Sequence, residues 1–172
     1  TDHERASLVE LNAVGVETTG PIQYTRIGHN GIGIRASSGQ RIHHNLVFDD
    51  TTTGILVSGR QDVRIVSNTL YSATGDNVRI DGASSEVELR SNVLYAETGY
   101  DVWVANDSQT GFFSDWNDLF ARGAGKLVFW TRDFTDLLDW QADVARFDLH
   151  SIGATAPAPL AARTRAAGSV TD

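Results

Sequence analysis

An asparagine recurs through the middle of the chain at an almost fixed interval. The four residues, separated by 23, 24 and 25 positions, are Asn45, Asn68, Asn92 and Asn117. An apolar residue follows each of them by two positions, at Val47, Leu70, Leu94 and Leu119. An aromatic residue follows each of them by three positions, at Phe48, Tyr71, Tyr95 and Phe120. A period of this length predicts that one small structural unit is stacked on itself several times.

Further apolar residues keep the same period. In one set Ile32, Ile55, Val78 and Val102 keep step with Ile34, Val57, Ile80 and Val104, and a second set contains Ile42, Ile65, Leu89 and Phe113. Apolar and polar residues alternate within each repeat, which indicates strands with one buried face. Three short strands per repeat keep these columns only if successive repeats stack in parallel, about 4.8 Å apart. The asparagines then lie in a turn, where their amides bond backbone groups above and below.

These repeats resemble the right-handed parallel β-helix repeats of pectate-lyase-like proteins. The resemblance rests on Ile42–Val47, Ile65–Leu70 and Leu89–Leu94, and it extends over about residues 31–129. It implies an all-β fold, a right-handed parallel β-helix of about five coils with a short C-terminal helix and a tail. The family includes lyases, hydrolases, epimerases, adhesins and coils without known chemistry. The resemblance therefore predicts the fold but does not predict which reaction, if any, the protein catalyses.

The pattern divides the chain into four parts. We expect an irregular first coil over residues 1–30, regular coils over 31–130, a helix and capping segment over 131–153, and a flexible tail over 154–172. The sequence has no Met, so we also expect missing N-terminal coils, or another domain of the same precursor, before Thr1.

The two ends of the repeat are less regular. Val9 and Leu11 stand 23 residues before Ile32 and Ile34, but Ile22 occupies the place of an asparagine. At the other end, an apolar stripe predicts a helix from about Phe134 to Val144, with Asp133 as N-cap and Asp136 as the acid of its first turn.

One C-terminal element adds a second resemblance. Trp140-Gln141 followed by Asp148-Leu149-His150-Ser151 resembles a Trp-Gln then Asp-x-His-Ser element near the C-terminal end of many secreted bacterial β-helix proteins. The resemblance implies that this chain is the C-terminal portion of such a protein, located outside the cell or at its surface.

Composition excludes several classes of function. The formal charge is −8 with a single Lys, Lys126, which argues against nonspecific nucleic-acid binding because that binding depends on cations that neutralise phosphates. No apolar run approaches the roughly 18 residues of a membrane span. The absence of Cys excludes disulfides and thiolate metal sites.

The outward residues around Ile42 are the candidate catalytic residues. Arg41, Arg64 and Glu88 flank this column on one side, and His43, Val66 and Arg90 flank it on the other. A lyase acting on uronates needs a cation near the sugar carboxylate and a base, roles that Arg41 and His43 could fill. The alternatives are an exposed Arg64–Glu88 ion pair without function and a solvated His43. His44 points to the opposite face from His43 unless a turn intervenes.

Trp103, Asp49 and Asp50 are the candidate substrate-binding residues. Trp103 alternates with buried neighbours and faces outward, where it either stacks on a sugar ring or is covered by the loop from Asn106 to Gly111 or by the C-terminal helix. Paired carboxylates such as Asp49 and Asp50 are required for glycoside hydrolysis, although the pair also suits an ordinary acidic turn.

The resemblance also implies a possible calcium ion. Carboxylates are available at Asp76, Asp81, Asp101 and Asp107, but they do not recur at a ligand-like spacing, so the sequence assigns no metal ligand. The leading hypothesis is a carbohydrate-associated domain of a larger secreted, polysaccharide-active protein. If that protein is an enzyme, it is a polysaccharide lyase or a glycoside hydrolase. The alternative is a noncatalytic structural, adhesive or surface-layer spacer.

Overall fold

The structure, a computed structural model, describes residues 8–155, which wind into a stack of parallel coils. Each coil contributes one strand to each of three sheets, which we call A, B and C. Strands are numbered along the chain. Sheet A contains β1 (Leu8–Glu10), β4 (Arg26–Gly28), β7 (Leu46–Phe48), β10 (Thr69–Ser72), β13 (Val93–Ala96), β16 (Asp118–Ala121) and β19 (Ile152–Thr155). Sheet B contains β2 (Val14–Glu17), β5 (Ile32–Arg35), β8 (Thr53–Ser58), β11 (Asp76–Asp81), β14 (Tyr100–Val104), β17 (Lys126–Trp130) and β18 (Arg132–Phe134). Sheet C contains β3 (Ile22–Gln23), β6 (Arg41–His43), β9 (Gln61–Val66), β12 (Ser85–Arg90) and β15 (Phe113–Asp115).

The expected fold is confirmed. Every strand pair within the coils is parallel, and the one antiparallel pair in residues 8–155 joins β17 to β18 at the C-terminal end. Five coils have all three strands, and a partial sixth consists of β16 and β17. A short 3₁₀ helix at Asn106–Ser108 and one α-helix, α1 (Leu137–Val144), complete the described residues. None of the helices in this part of the chain has the length and hydropathy to cross a membrane.

Columns of apolar side chains fill the interior of the stack. The column that follows the asparagines, Val47, Leu70, Leu94 and Leu119, is in register from coil to coil and almost fully buried. The adjacent aromatic column, from Phe48 to Phe120, is also in register and lies half-buried on the outer face of sheet A. Both columns confirm the sequence prediction.

The buried asparagines form a continuous ladder between sheets C and A. The backbone N–H of Asn45 donates to Oδ1 of Asn68 at 3.0 Å, that of Asn68 to Asn92 at 3.0 Å, and that of Asn92 to Asn117 at 2.9 Å. Each side-chain amide also donates to a backbone carbonyl of the preceding coil, as Asn68 does to Ile42 at 2.9 Å. Polar groups that the turn would leave unpaired in the interior are therefore satisfied.

The Trp-Gln and Asp-x-His-Ser segments close this ladder at its C-terminal end. Asn117 donates through its backbone N–H to Ser151 Oγ at 2.8 Å and through Nδ2 to Asp148 Oδ1 at 3.1 Å. Asp148 accepts in turn from the indole of buried Trp140 at 2.9 Å, and its backbone carbonyl accepts from Gln141. This element therefore supplies the bonds that a further coil would otherwise make.

The register predicted at the N-terminal end is wrong. Val14 and Val16, not Val9 and Leu11, align with Ile32 and Ile34. Thr25, not Ile22, occupies the ladder position of the first coil: its backbone N–H donates to Oδ1 of Asn45, while the Ile22 carbonyl accepts from the Asn45 amide. The first coil is shorter than the period of 23 residues, since equivalent residues of the first two coils lie 18 to 20 positions apart.

Two other predicted columns are offset. Ile55 aligns with Ile34, while Ile32 aligns with Thr53. Ser114, not Phe113, continues the column of Ile42. The connections between sheets A and B and between B and C vary in length, so a fixed period carried through them loses register.

The helix begins later than expected. Asp136 is its N-cap and accepts from the N–H groups of Leu138 and Asp139, whereas Asp133 and Phe134 belong to β18. An antiparallel turn back onto β17 therefore comes before the helix. Of the expected tail, residues 154 and 155 belong to β19, and the rest lies outside the described residues.

Replacement of Asn68 by Ala tests the ladder at its centre. The variant leaves the Asn45 N–H and the Ile42 carbonyl without partners in the interior, so we expect a loss of about 4 kcal/mol in the free energy of unfolding. Urea denaturation measures this loss. Asn106→Ala, at an exposed position, is the matched control and should change stability by less than about 0.5 kcal/mol. Equal effects of the two variants would contradict the role of the ladder.

Candidate functional site

The connection between sheets C and A has the same length in every complete coil. Two residues join the strands each time, and the second occupies the ladder position. The first has a left-handed backbone, with φ between 53° and 57°, at Tyr24, His44, Ser67, Ser91 and Trp116. We call these five residues the corner column.

Two members of the corner column, Tyr24 and Trp116, carry bulky rings that are uncommon in this backbone conformation, whereas His adopts it more readily. The left-handed φ costs most L-residues roughly 1–2 kcal/mol, and all five corner residues share it, so this cost belongs to the turn. Ser67 and Ser91 show that the same turn forms with a small residue. The turn therefore does not require the rings of Tyr24, His44 and Trp116, and their exposure at these positions points to a use at the surface.

The rings of the corner column stack in pairs at the two ends of the described coils. Tyr24 stacks on His44, with ring centroids 5.3 Å apart. Trp116 stacks on His150, with centroids 4.8 Å apart and planes within 6°. Tyr24 remains 65% exposed and Trp116 46% exposed, so neither pair is part of the interior.

A strip of surface lies alongside the corner column and follows the stack of coils. Its other side consists of the first residues of the sheet A strands, Arg26, Leu46, Thr69, Val93, Asp118 and Ile152. Trp116 and His150 line a cavity of about 280 Å³ at one end, and Tyr24 and His44 line one of about 250 Å³ at the other. We call this feature the corner groove.

The corner groove concentrates exposed apolar surface. Five of the nine exposed large hydrophobic side chains within residues 8–155 border it, namely Tyr24, Leu46, Val93, Trp116 and Ile152. Polar groups from His44, Ser91 and Asp118 are interspersed with them. Clustered apolar surface beside polar groups is typical of a binding site.

Asp115 fixes His150 against Trp116. Its Oδ2 lies 2.8 Å from Nδ1 of His150, and its Oδ1 accepts from the backbone N–H groups of His150 and Trp116 at 2.8 and 2.9 Å. Burial alone would raise the pKa of the Asp115 carboxyl, but these hydrogen bonds together hold the pKa below its usual value. A carboxylate at Nδ1 leaves Nε2 of His150 as the ring nitrogen free for another partner.

The predicted catalytic residues lie on the outer face of sheet C, beside the corner groove. Arg41, Arg64 and Glu88 are in register, as are His43, Val66 and Arg90, which confirms both predicted columns. Arg90 extends from this face towards Trp116, with its guanidinium carbon 4.5 Å from the centre of the indole.

Ion pairs occupy most of the charges on this face. Glu88 lies 2.9 Å from Arg90 and 3.9 Å from Arg64, and Arg64 also lies 3.4 Å from Asp62. The predicted pairing of Arg64 with Glu88 is therefore present. Since Glu88 contacts two guanidinium groups, it is poorly suited to act as a base.

His43 and His44 lie on the same side, contrary to the simple alternation of a strand. The left-handed backbone of His44 brings the two Nδ1 atoms to 2.9 Å. Partial burial, then the charges of Arg41 and His44, lower the pKa of His43. The lowered pKa favours the neutral form of His43, and Arg41 on the same strand supplies the cation that the lyase hypothesis requires.

The predicted carboxylate pair, Asp49 and Asp50, directly follows β7, on the side of sheet A away from the corner column, and the two side chains lie in different environments. Asp49 adopts a left-handed φ of 53°, while Asp50 points inward and accepts from the backbone N–H and side-chain amide of Asn30 at 2.7 and 3.0 Å. Burial raises the pKa of Asp50 to about 6. The buried position gives Asp50 a role in packing the coils.

Trp103 faces outward from sheet B, as expected. The guanidinium carbon of Arg79 lies 3.6 Å from its ring centre, and Phe129 stacks at 5.2 Å. Because Arg79 and Phe129 come from the coils on either side, both faces of the indole are covered and a sugar ring has no free face to stack on.

The carboxylates considered for calcium have other partners. Asp76 and Asp81 pair with Arg79 at 3.0 and 3.1 Å. Asp101 lies in the interior, where it accepts from Asn77 and where burial raises its pKa well above the usual value. Asp107 accepts from Ser108. Residues 8–155 contain no group of three His, Cys, Asp or Glu side chains placed to hold a metal ion.

Comparison with known families decides the classification. Residues 17–115 match the family described as the right-handed β-helix region. The chain belongs to this family. The handedness expected from the repeats is thereby confirmed, and the coils of this β-helix domain continue beyond the matched residues to β17. No curated protein and no solved structure matches the chain significantly.

Sequence reasoning did not select the corner groove. The relevant signal was the residue immediately before each ladder position, which is an aromatic residue or histidine at Tyr24, His44 and Trp116 and a serine in the two coils between His44 and Trp116. Asp115 and His150 meet only because the capping segment returns to the last coils, a contact across 35 residues that no local pattern reveals.

The pH dependence of stability tests the buried Asp50. Its pKa of about 6 exceeds the unfolded value near 3.8, so the folded state holds the proton more tightly and stability falls as pH rises from about 4 to 6. Above pH 6 the ionised Asp50 lowers the free energy of unfolding by a constant amount of about 3 kcal/mol. Asp50→Asn should remove it.

Chemical denaturation of both proteins at pH 4.5 and pH 7 measures the difference. The variant should gain stability relative to the parent at pH 7, and groups common to both cancel in the comparison. An identical pH dependence in the two proteins would contradict a raised pKa at Asp50.

Proposed function

We propose that this β-helix domain binds a polysaccharide lengthwise in the corner groove. The observation that supports the proposal is the presence of exposed rings at left-handed positions where the adjacent coils use serine. A chain of sugars presents apolar ring faces and hydroxyl groups in alternation, and the groove offers aromatic and aliphatic surface beside hydrogen-bonding groups.

The length of the groove favours a polymer over a single small molecule. The two cavities lie at opposite ends of the described coils, and His44 and Trp116 are three coils apart, or about 14 Å at the spacing of paired strands. The corner residues between them, Ser67 and Ser91, have small side chains that leave room for a ligand passing from one cavity to the other. One extended ligand could therefore contact both stacked pairs.

Binding without turnover is the function that these residues support best. On sheet C, Glu88 is held by two arginines, and the Nδ1 of His150 is held by Asp115. As part of the proposal, the domain acts outside the cell or at its surface within a larger protein that acts on polysaccharide. A spacer that binds no glycan is the competing hypothesis.

Substitution of the corner rings by serine tests the proposal. Trp116→Ser and Tyr24→Ser introduce the residue that two other coils carry at the same left-handed position, Ser67 and Ser91, so both variants should fold. We expect each to weaken binding by about 2 kcal/mol, or about thirtyfold in Kd, on a polysaccharide identified by screening neutral and acidic glycans.

Two further variants locate the site. Leu138→Ser removes an exposed apolar side chain from α1, away from the groove, and should leave the affinity unchanged. Loss of binding in Trp103→Leu but not in Trp116→Ser would move the site to sheet B. Absence of binding to every glycan would favour the spacer, and release of reducing ends or unsaturated uronates would show turnover and contradict a purely binding role.

A further inference from the structure

Two imidazoles face each other at the N-terminal end of the corner groove. The Nδ1 atoms of His43 and His44 are 2.9 Å apart. At this distance one nitrogen donates a proton and the other accepts it through a lone pair. The two ring nitrogens thus point at a single position between them, which a cation bound by both would occupy in place of that proton.

Neither histidine is required by the coil. The equivalent residues of the next coil are Val66 and Ser67, aligned with His43 and His44. His44 has a left-handed φ of 57°, and this backbone is what turns its ring towards that of His43. Because Ser67 has the same backbone conformation, the turn itself does not call for an imidazole at this position.

Tyr24 holds the pair in place. Its ring stacks on His44 at 5.3 Å and meets His43 edge to face at 6.2 Å. Both imidazoles are thus restrained before any ligand binds, which lowers the entropic cost of binding. Since His44 is exposed and borders the cavity of about 250 Å³, the position between the nitrogens is accessible from solvent.

We propose that His43 and His44 form a binding site for a divalent transition-metal ion, with Cu²⁺ preferred. Imidazole is a suitable ligand for copper, nickel and zinc, and affinity among these ions is highest for Cu²⁺. Cu²⁺ prefers square-planar or tetragonal coordination, in which two adjacent nitrogens at bond lengths of about 2.0 Å lie about 2.8 Å apart. The present separation of 2.9 Å is close to this value.

The site has open coordination positions. Residues 8–155 place no third His, Cys, Asp or Glu side chain in a group with these two, so water or an external ligand completes the coordination. The cation of Arg41, on the same strand as His43, repels the ion and weakens its binding. The site shares His44 and Tyr24 with the corner groove, but the metal proposal does not rest on the proposed function because its test uses the metal ion alone.

The matched variant replaces both histidines by the residues of the next coil. His43→Val together with His44→Ser should preserve the fold, because Val66 and Ser67 occupy the same positions one coil later. All samples contain His3→Ala, so that a histidine outside the described residues does not contribute. His29→Ala, which removes another exposed histidine, is the control.

Titration with Cu²⁺ alone, followed by electron paramagnetic resonance and by NMR of the imidazoles, tests the proposal. We expect one bound ion with nitrogen coupling, selective broadening of His43 and His44, and at least about tenfold weaker binding in the double variant but not in His29→Ala. Equal Cu²⁺ affinity in the parent and the double variant, or broadening that spares His43 and His44, would overturn it. Melting temperatures of all variants verify that the fold is retained.

Discussion

The hydrogen bonds between buried asparagines hold the coils of this protein in register. An amide can accept through its oxygen and donate through its nitrogen at the same time, so each asparagine bonds the coil above and the coil below. Asn68 does both, with Asn45 and Asn92 as neighbours. The chain has no disulfide, and pairing between coils must therefore come from strands and from ladders of this kind.

Carboxylates at the other corner show why the amide matters. Asp50 accepts a hydrogen bond from Asn30, and Asp101 accepts one from Asn77. An ionised carboxylate has no N–H or O–H to donate to the next coil, so neither residue extends a ladder. The second oxygen of each is buried without a partner among the described residues. Burial raises the pKa values of both carboxyl groups, because the neutral acid costs less free energy to bury than the carboxylate does.

The repeat in the sequence was sufficient to predict the three-sheet stack, the ladder and the outer columns of Arg41 and His43. Periodicity failed where it was carried through connections of variable length, which displaced Val9 and Leu11 in the first coil and exchanged Phe113 for Ser114 in the last. Side-chain partners were even less predictable. Arg79 and Phe129 cover Trp103 only because three successive coils are in register, and no single segment of the sequence predicts this contact.

The rigidity of one corner explains why a site can be built there. The connections from sheet B to sheet C range from two to eight residues, whereas those from C to A are always two. A turn of two residues, one left-handed and one bonded into the ladder, leaves the backbone little freedom, so side chains of the corner column project at fixed intervals. The same constraint that keeps the coils in register thus provides a row of defined positions on the surface. Serine occupies such a position at low cost, and each ring found there instead is held in a predetermined orientation, as preorganised binding requires.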